Sequence, residues 1–257
     1  VTLCPGSGGL EEFDSYEDLE AAYRKQLDYY LSFGPILDNV TCRAYAGINP
    51  TPFLSALLDH RIQFGKDASE GGGPNYQNNL MLAHGTVNTG NALYNLKSLV
   101  FDRELISRAE LKRALENNFE GEEGERIRKL LVESPKYGND VEDVDGIVAD
   151  VLRWYCQGMV RFEPIRGGRY CPTPQTLSAN AYTGEVIGAT PDGRKAGEAT
   201  ADNISPTAGT DTSGVTATLK SVSRLDHTLA TNGTILNVKL HPSAVSGPTR
   251  IGKFAAL

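Results

Sequence analysis

Nothing in this 257-residue sequence approaches the ~18 to 20 consecutive apolar residues of a membrane-spanning helix, and residues 1–10 have neither the basic nor the apolar stretch of a signal peptide. A soluble, cytoplasmic protein is the expectation. Cysteine is scarce: Cys4, Cys42, Cys156 and Cys171 are too few for a disulfide scaffold and none stands in a C-x-x-C spacing, so buried free thiols are predicted. Positive charge is short as well. Lys plus Arg number 25 against 32 Asp plus Glu, and the net charge of −7 speaks against nucleic acid or anionic lipid as partner. His60, His84, His227 and His241 fall into neither H-x-x-x-H nor H-x-H spacing. A metal would need ligands gathered only by folding; hydrogen-bonded or exposed roles are expected, and no metal residue is assigned. Internal repeats, charge runs and flexible linkers are missing too, which favours one domain, and a chain of this length can bury about three quarters of its extended surface.

What is present is helical first and strand-like later. Ser15 is a good N-cap with Asp18 three residues on, and Leu19, Tyr23, Leu27, Tyr30 and Leu31 recur at helical spacing. A second segment is expected past Gly34-Pro35 toward Tyr45. Thr51 as cap and Pro52 at the first helical position open another helix that stops by Gly65. A helix of mixed face is predicted over 86–100, with Leu93, Leu96 and Val100 inward. Ser107 and Glu110 form a capping box, and 121–133 reads as short, charged and superficial. Val144, Ile147, Val148, Val151, Leu152, Tyr155 and Met159 repeat at i, i+3, i+4 and demand a sizeable apolar partner.

From Arg166 onward Gly, Pro, Thr and Ser take over. Strands are expected over 176–181 and 234–240, with a helix within 213–226 between them. Long helices feeding strands and loops imply an α/β fold, with function on loops at strand ends. Pro191-Asp192-Gly193-Arg194 reads as a type I turn that Arg194 anchors to a carboxylate, and Asn232-Gly233 as a hairpin-like turn. Gly71-Gly72-Gly73-Pro74-Asn75-Tyr76 lacks the Lys-Ser/Thr ending of a nucleotide loop, so a conformational role is preferred to a phosphate cradle.

The order of landmarks is more specific than any one of them. Asn49-Pro50-Thr51-Pro52-Phe53-Leu54-Ser55 is followed by Gly65-Lys66-Asp67, Gly71-Gly72, Asn118-Phe119-Glu120-Gly121 and Pro135-Lys136-Tyr137-Gly138-Asn139-Asp140. Arg166-Gly167-Gly168, Ser178-Ala179-Asn180, Pro191-Asp192-Gly193-Arg194 and Asn232-Gly233-Thr234 come after. In this order the chain resembles the C-terminal part of the glycyl radical enzymes, the family of pyruvate formate-lyase. The segments Leu225-Asp226-His227 and His241-Pro242-Ser243-Ala244 are most similar to its glycerol and propanediol dehydratase branch.

That resemblance implies the second half of a ten-stranded β/α barrel ringed by helices, with residues 1–257 as one partial barrel domain. No Gly-Cys-x-Glu cysteine loop and no Arg-Val-x-Gly-Tyr radical loop occurs in the sequence, so no catalytic residue is assigned and no cofactor is expected to bind this chain. The glycyl radical of the full enzyme would be installed elsewhere by an activase that uses S-adenosylmethionine and an iron–sulfur cluster. Val1 in place of an initiator methionine, and an apolar pattern interrupted at Phe254-Ala255-Ala256-Leu257, lead to the expectation of a piece of something longer.

Residues 172–180 match the family strand that lines the substrate cavity. Alternation would put Gln175, Leu177 and Ala179 on one face, with Thr176, Ser178 and Asn180 on the other. Gln175, Leu177, Ser178 and Asn180 are the substrate-binding candidates; a polar strand that merely satisfies neighbouring backbone is the equal alternative. Gln175 stands where diol dehydratases usually carry an aromatic, a departure that speaks against a plain diol as the expected substrate. The expected function is part of a radical lyase or dehydratase that cleaves a C–O, C–N or C–C bond of a small polar substrate, inactive as this chain alone. A non-catalytic complementing or regulatory subunit of a split enzyme is the second reading, and a nucleotide-dependent enzyme the third. Unpaired strand edges and a bare apolar face predict oligomers or a complementing chain as partner.

Overall fold

The computed structural model describes residues 6–71, 78–240, 242 and 246–255. Ser15 caps α1 (Tyr16–Leu31), its Oγ accepting the Asp18 N–H at 3.1 Å and donating to the Asp18 carboxylate at 2.7 Å. The chain turns at Ser32 into α2 (Phe33–Ile48), then makes the short α3 (Pro52–Leu57) and the one-turn α4 (Arg61–Phe64), which Gly65 ends. Thr51 does not cap α3 with its side chain. Instead its N–H and hydroxyl bind the Asp67 carboxylate at 2.8 and 3.1 Å, beside the hydroxyls of Ser55 and Ser69. These donors, the Ser69 hydroxyl foremost, hold the Asp67 carboxyl far below the usual range.

After β1 (Asn78–Leu82) comes α5 (Thr86–Asn95), which continues as a wider π-helical turn over Leu96–Asp102. The capping box at Ser107 and Glu110 opens α6 (Arg108–Glu116) with reciprocal bonds of 3.2 and 2.8 Å. Ser107→Ala should lower stability by about 1 kcal/mol, read as a shift in the urea midpoint at constant slope. Next is α7 (Gly121–Glu133). The expectation of a merely superficial segment is corrected here: Gly124, Ile127 and Leu131 are buried along one stripe, and the charged side faces solvent.

The long α8 (Glu142–Met159) is the axis of the molecule. Val144, Val148, Leu152, Tyr155, Cys156 and Met159 join one core with Val87, Tyr137, Tyr170 and Ile204, while Val151 enters a second core with Leu93, Leu99, Leu111, Ile127 and Leu131. Its apolar stripe therefore has a partner on two sides, as its periodicity required. Cys156 lies in the first of these cores, and burial pushes its thiol up to about 12. The crossing with α5 is close because Gly90 has no side chain: a Cβ there would meet Val148.

β2 (Arg169–Thr173) pairs parallel with β1, Asn78 opposite Arg169 and Leu82 opposite Thr173. The fold is α/β, with helices against a parallel sheet. Among the described residues the sheet has two strands, fewer than the ten implied by the resemblance. Neither strand expected from the sequence forms. Residues 176–181 turn instead, since Leu177 and Ser178 take left-handed φ of 47° and 69°, and α9 (Ala179–Val186) begins directly after them. Residues 234–240 have no ladder. Their backbone is bound by loops, Ile204 N–H to Ile235 O at 3.3 Å and Asn237 N–H to Ser205 Oγ at 2.9 Å. The chain closes with α10 (Val215–Ser223) and α11 (Arg250–Ala255).

Large apolar side chains stand bare on α2–α4: Ile48 is 83% exposed, Phe53 78% and Ile62 73%. This is the bare face anticipated above. Among the described residues no helix is long and apolar enough to cross a membrane.

Candidate functional site

Past the C-terminal end of β2 the chain enters a polar junction of three loops. Thr176 is buried, and Asn203 Oδ1 accepts its N–H at 2.8 Å. Its hydroxyl donates to Asp202 Oδ1 at 2.6 Å. The same carboxylate accepts the Asn203 side-chain amide at 2.8 Å and, on its other oxygen, the Asn237 amide. Thr173 Oγ1 reaches Gly233 O at 2.6 Å, so the loop at 230–237 lies alongside β2. The turn predicted at Asn232-Gly233 is made, with Gly233 N–H on Ala230 O at 2.7 Å, but no hairpin flanks it. His227 has a hydrogen-bonded role there, one ring nitrogen 2.9 Å from Thr234 Oγ1 and the other 3.0 Å from Val222 O.

All four substrate-binding candidates fall on this junction. Gln175 is half-buried, its amide 3.5 Å from Asn232 O; Leu177 is 62% exposed; Ser178 is exposed in the left-handed turn. Asn180 is half-buried, and its carbonyl accepts Thr200 N–H at 3.1 Å. They share one turn and the helix it starts, where alternation would have split them between two strand faces.

A second polar system holds the loops from beneath. On α5, Asn88, Asn91 and Asn95 project from one helix face and are 6%, 0% and 0% exposed. Asn88 Oδ1 accepts Ala201 N–H at 2.7 Å while its amide donates to Asp192 Oδ2 at 2.6 Å. Asn91 Oδ1 accepts Tyr137 N–H at 3.0 Å, and the Asn95 amide donates to Leu131 O and Pro191 O at 3.0 and 2.8 Å. Sequence reading missed this ladder, although three asparagines at i, i+3 and i+7 inside an apolar helix were its visible signal.

The Pro191 turn forms as expected, with Gly193 N–H on Thr190 O at 3.0 Å. Arg194, however, does not anchor it to a carboxylate. Buried at 4% exposure, its guanidinium donates to the carbonyls of Gly184, Ile187, Gly188, Lys195 and Glu198. Five acceptors at the end of α9 and the loop after it converge on one side chain, and a planar fork of donors is the group that can serve them.

Gly71 adopts φ +78°, and a Cβ there would overlap the Arg166 backbone, so the conformational role holds at this glycine. The remainder of that run, together with His241 and Cys4, lies outside the described residues.

Comparison with known proteins accounts for this architecture. Residues 1–184 match the pyruvate formate lyase-like family and residues 200–257 the glycine radical family. The chain belongs to the glycyl radical enzymes, in their pyruvate formate lyase-like family. Trans-4-hydroxy-L-proline dehydratase of Clostridioides difficile is 32% identical over 98% of this chain and 31% of its own length. A glycerol-bound B12-independent glycerol dehydratase from Clostridium butyricum superposes with a TM-score of 0.91 at 38% identity, over 98% of this chain and 32% of that one. A Roseburia inulinivorans structure described for 1,2-propanediol dehydration gives 0.91 at 39%, over 97% and 32%. The chain thus spans about a third of the length of the relatives it matches. Decarboxylases stand among the curated relatives beside the dehydratases.

Proposed function

We propose that this chain supplies the second half of a ten-stranded β/α barrel in a cytoplasmic glycyl radical lyase acting on a small polar substrate, and that the turn at 175–180 forms part of the substrate wall. The observation that carries this reading is the position of the four candidates, all at the C-terminal end of a parallel strand and all on one polar junction. In such an enzyme a glycyl radical, installed by an activase with S-adenosylmethionine and an iron–sulfur cluster, supplies hydrogen-atom abstraction through a cysteine thiyl, and burial shelters it from solvent. The residues of this chain bind and orient. The Gln175 amide offers both a donor and an acceptor to hydroxyl or amino groups, Ser178 and Asn180 extend the polar lining, and Leu177 contributes an apolar wall. Asp202, fixed by Thr176, Asn203 and Asn237, keeps that turn in place. The bond cleaved is C–O, C–N or C–C, with dehydration favoured by the dehydratase neighbours.

Activity is expected only when this chain is assembled with polypeptide that supplies a Gly-Cys-x-Glu loop and an Arg-Val-x-Gly-Tyr loop. Treated alone with an activase, it should give no turnover and no glycyl electron-spin signal; turnover by the lone chain would overturn the reading. In the assembled enzyme Gln175→Ala should raise KM about tenfold, the loss expected for one hydrogen bond of about 1 kcal/mol net. An unchanged kcat/KM would remove Gln175 from the site.

The exposed apolar face on α2–α4 favours a second reading, in which the chain is a complementing or regulatory subunit of a split enzyme. Self-association in isolation follows from either reading. A monodisperse monomer by light scattering would contradict it.

A further inference from the structure

Away from the turn at 175–180, a cleft of about 420 Å³ opens between α5, α7 and the loops at 190–199 and 207–210. Its lining holds three cations, Arg128, Lys136 and Arg194, against two carboxylates, Asp192 and Glu198. Both carboxylates are already engaged. Asp192 accepts from Thr190, Asn88 and the Arg194 N–H, and Glu198 takes the Lys195 N–H at 2.9 Å with Arg128 3.9 Å away.

Several of these lining residues carry a buried donor that has no partner among the described residues. The Arg194 Nη atoms are spent on five carbonyls, yet its Nε–H has none. Asn91 is fully buried with its oxygen satisfied by Tyr137 and its amide nitrogen unmatched. Thr207 Oγ1 is likewise without a partner. Lys136 is 6% exposed and donates to Leu131 O and, at 3.0 Å, to Ser134 O, which leaves it a further proton. Unmatched buried donors are uncommon in native proteins, and several around one cleft with surplus positive charge describe an acceptor that belongs there.

We propose that this cleft binds a small oxyanion, a carboxylate or a tetrahedral phosphate- or sulfate-type group, held by Asn91, Arg194, Lys136 and Thr207 with Arg128 at the rim. The site is separate from the proposed substrate wall and serves as an ancillary anion-binding site. Burial pushes Lys136 down to about 8 despite Asp192 opposite it, so the ammonium is charged at neutral pH and neutral in alkali. Sulfate does not titrate in that range, so a fall in its affinity above pH 8 reports the protein; Asp192, Glu198, Arg128 and Arg194 are the other charged groups facing Lys136.

Calorimetric titration of the whole chain with sodium sulfate at fixed ionic strength tests this, with phosphate and acetate as parallel arms that separate tetrahedral from planar oxyanions. Saturable binding over a chloride background is expected. Arg128→Gln, at the rim, should weaken it about tenfold. Asn91→Asp keeps the acceptor for Tyr137 N–H, replaces the unmatched donors by negative charge and should abolish it. Heats no different from chloride, affinity unchanged in a folded Arg128→Gln variant, or affinity that stays level from pH 6.5 to pH 9.5 would each overturn the proposal.

Discussion

Arg194→Met should lower the unfolding free energy of the chain by about 3–5 kcal/mol, among the largest single-residue effects available to it. The reason is the asymmetry between making a hydrogen bond and leaving a buried acceptor bare. Methionine fills much of the volume but strands the carbonyls of Gly184, Ile187, Gly188, Lys195 and Glu198, which all accept from the same buried side chain. Arg194→Lys keeps the charge and should recover only a minor part, since one ammonium with three protons cannot span acceptors on both sides of a planar fork. Urea unfolding followed by far-ultraviolet circular dichroism distinguishes the outcomes. If lysine restored the midpoint fully, charge rather than geometry would be what position 194 supplies.

The second large effect is steric. Gly90→Val should cost about 2–4 kcal/mol, because the new Cβ would press on the Val148 backbone, with Cα at 2.9 Å, as well as on its side chain. Adding Val148→Ala should relieve only part of the loss: the methyl groups go but the Cα remains. Gly146→Ala provides the contrast. That glycine lies on the same helix as Val148, and a Cβ there meets nothing within 4 Å, so helix propensity alone predicts a gain of about 0.5–1 kcal/mol. Opposite signs at two helical glycines would locate the tight crossing of α5 and α8 without any structure determination. A gain at both would show that the helices are free to part.

What could be read in advance was local. The Ser15 and Ser107 caps, the apolar stripe of α8 and the Pro191 turn depend on residues within a few positions of one another, and all four formed. The strands were misplaced for an equally physical reason. Arg169–Thr173 contains Pro172, which demotes a strand on sight, whereas in this pairing its carbonyl rather than the missing N–H is what a neighbouring loop uses, taking Asn232 N–H at 3.4 Å. Residues 176–181 have strand-like composition, but the bonds from Thr176 to Asp202 and Asn203 hold the segment in a turn, and those partners are 26 and 27 residues away. Sequence marks Arg194 as an anchor but not the kind of acceptor it meets, since only the fold shows that carbonyls converge on it. The candidate residues 175, 177, 178 and 180 were found as a group through family likeness, while their shared turn required coordinates.

The asparagine ladder on α5 has a further implication for how this protein can change over time. Two loops and the last turn of α7 hang from one helical face by carboxamides of fixed reach: Asp192, Ala201 and Pro191 in the loop between α9 and α10, Tyr137 in the loop before α8, and Leu131 on α7. Lengthening any side chain by one methylene, or inserting a residue into any suspended loop, would misalign its neighbours too. Drift at these positions must therefore be concerted, whereas the turn at 175–180, which α5 does not touch through any of these bonds, is not held to that register.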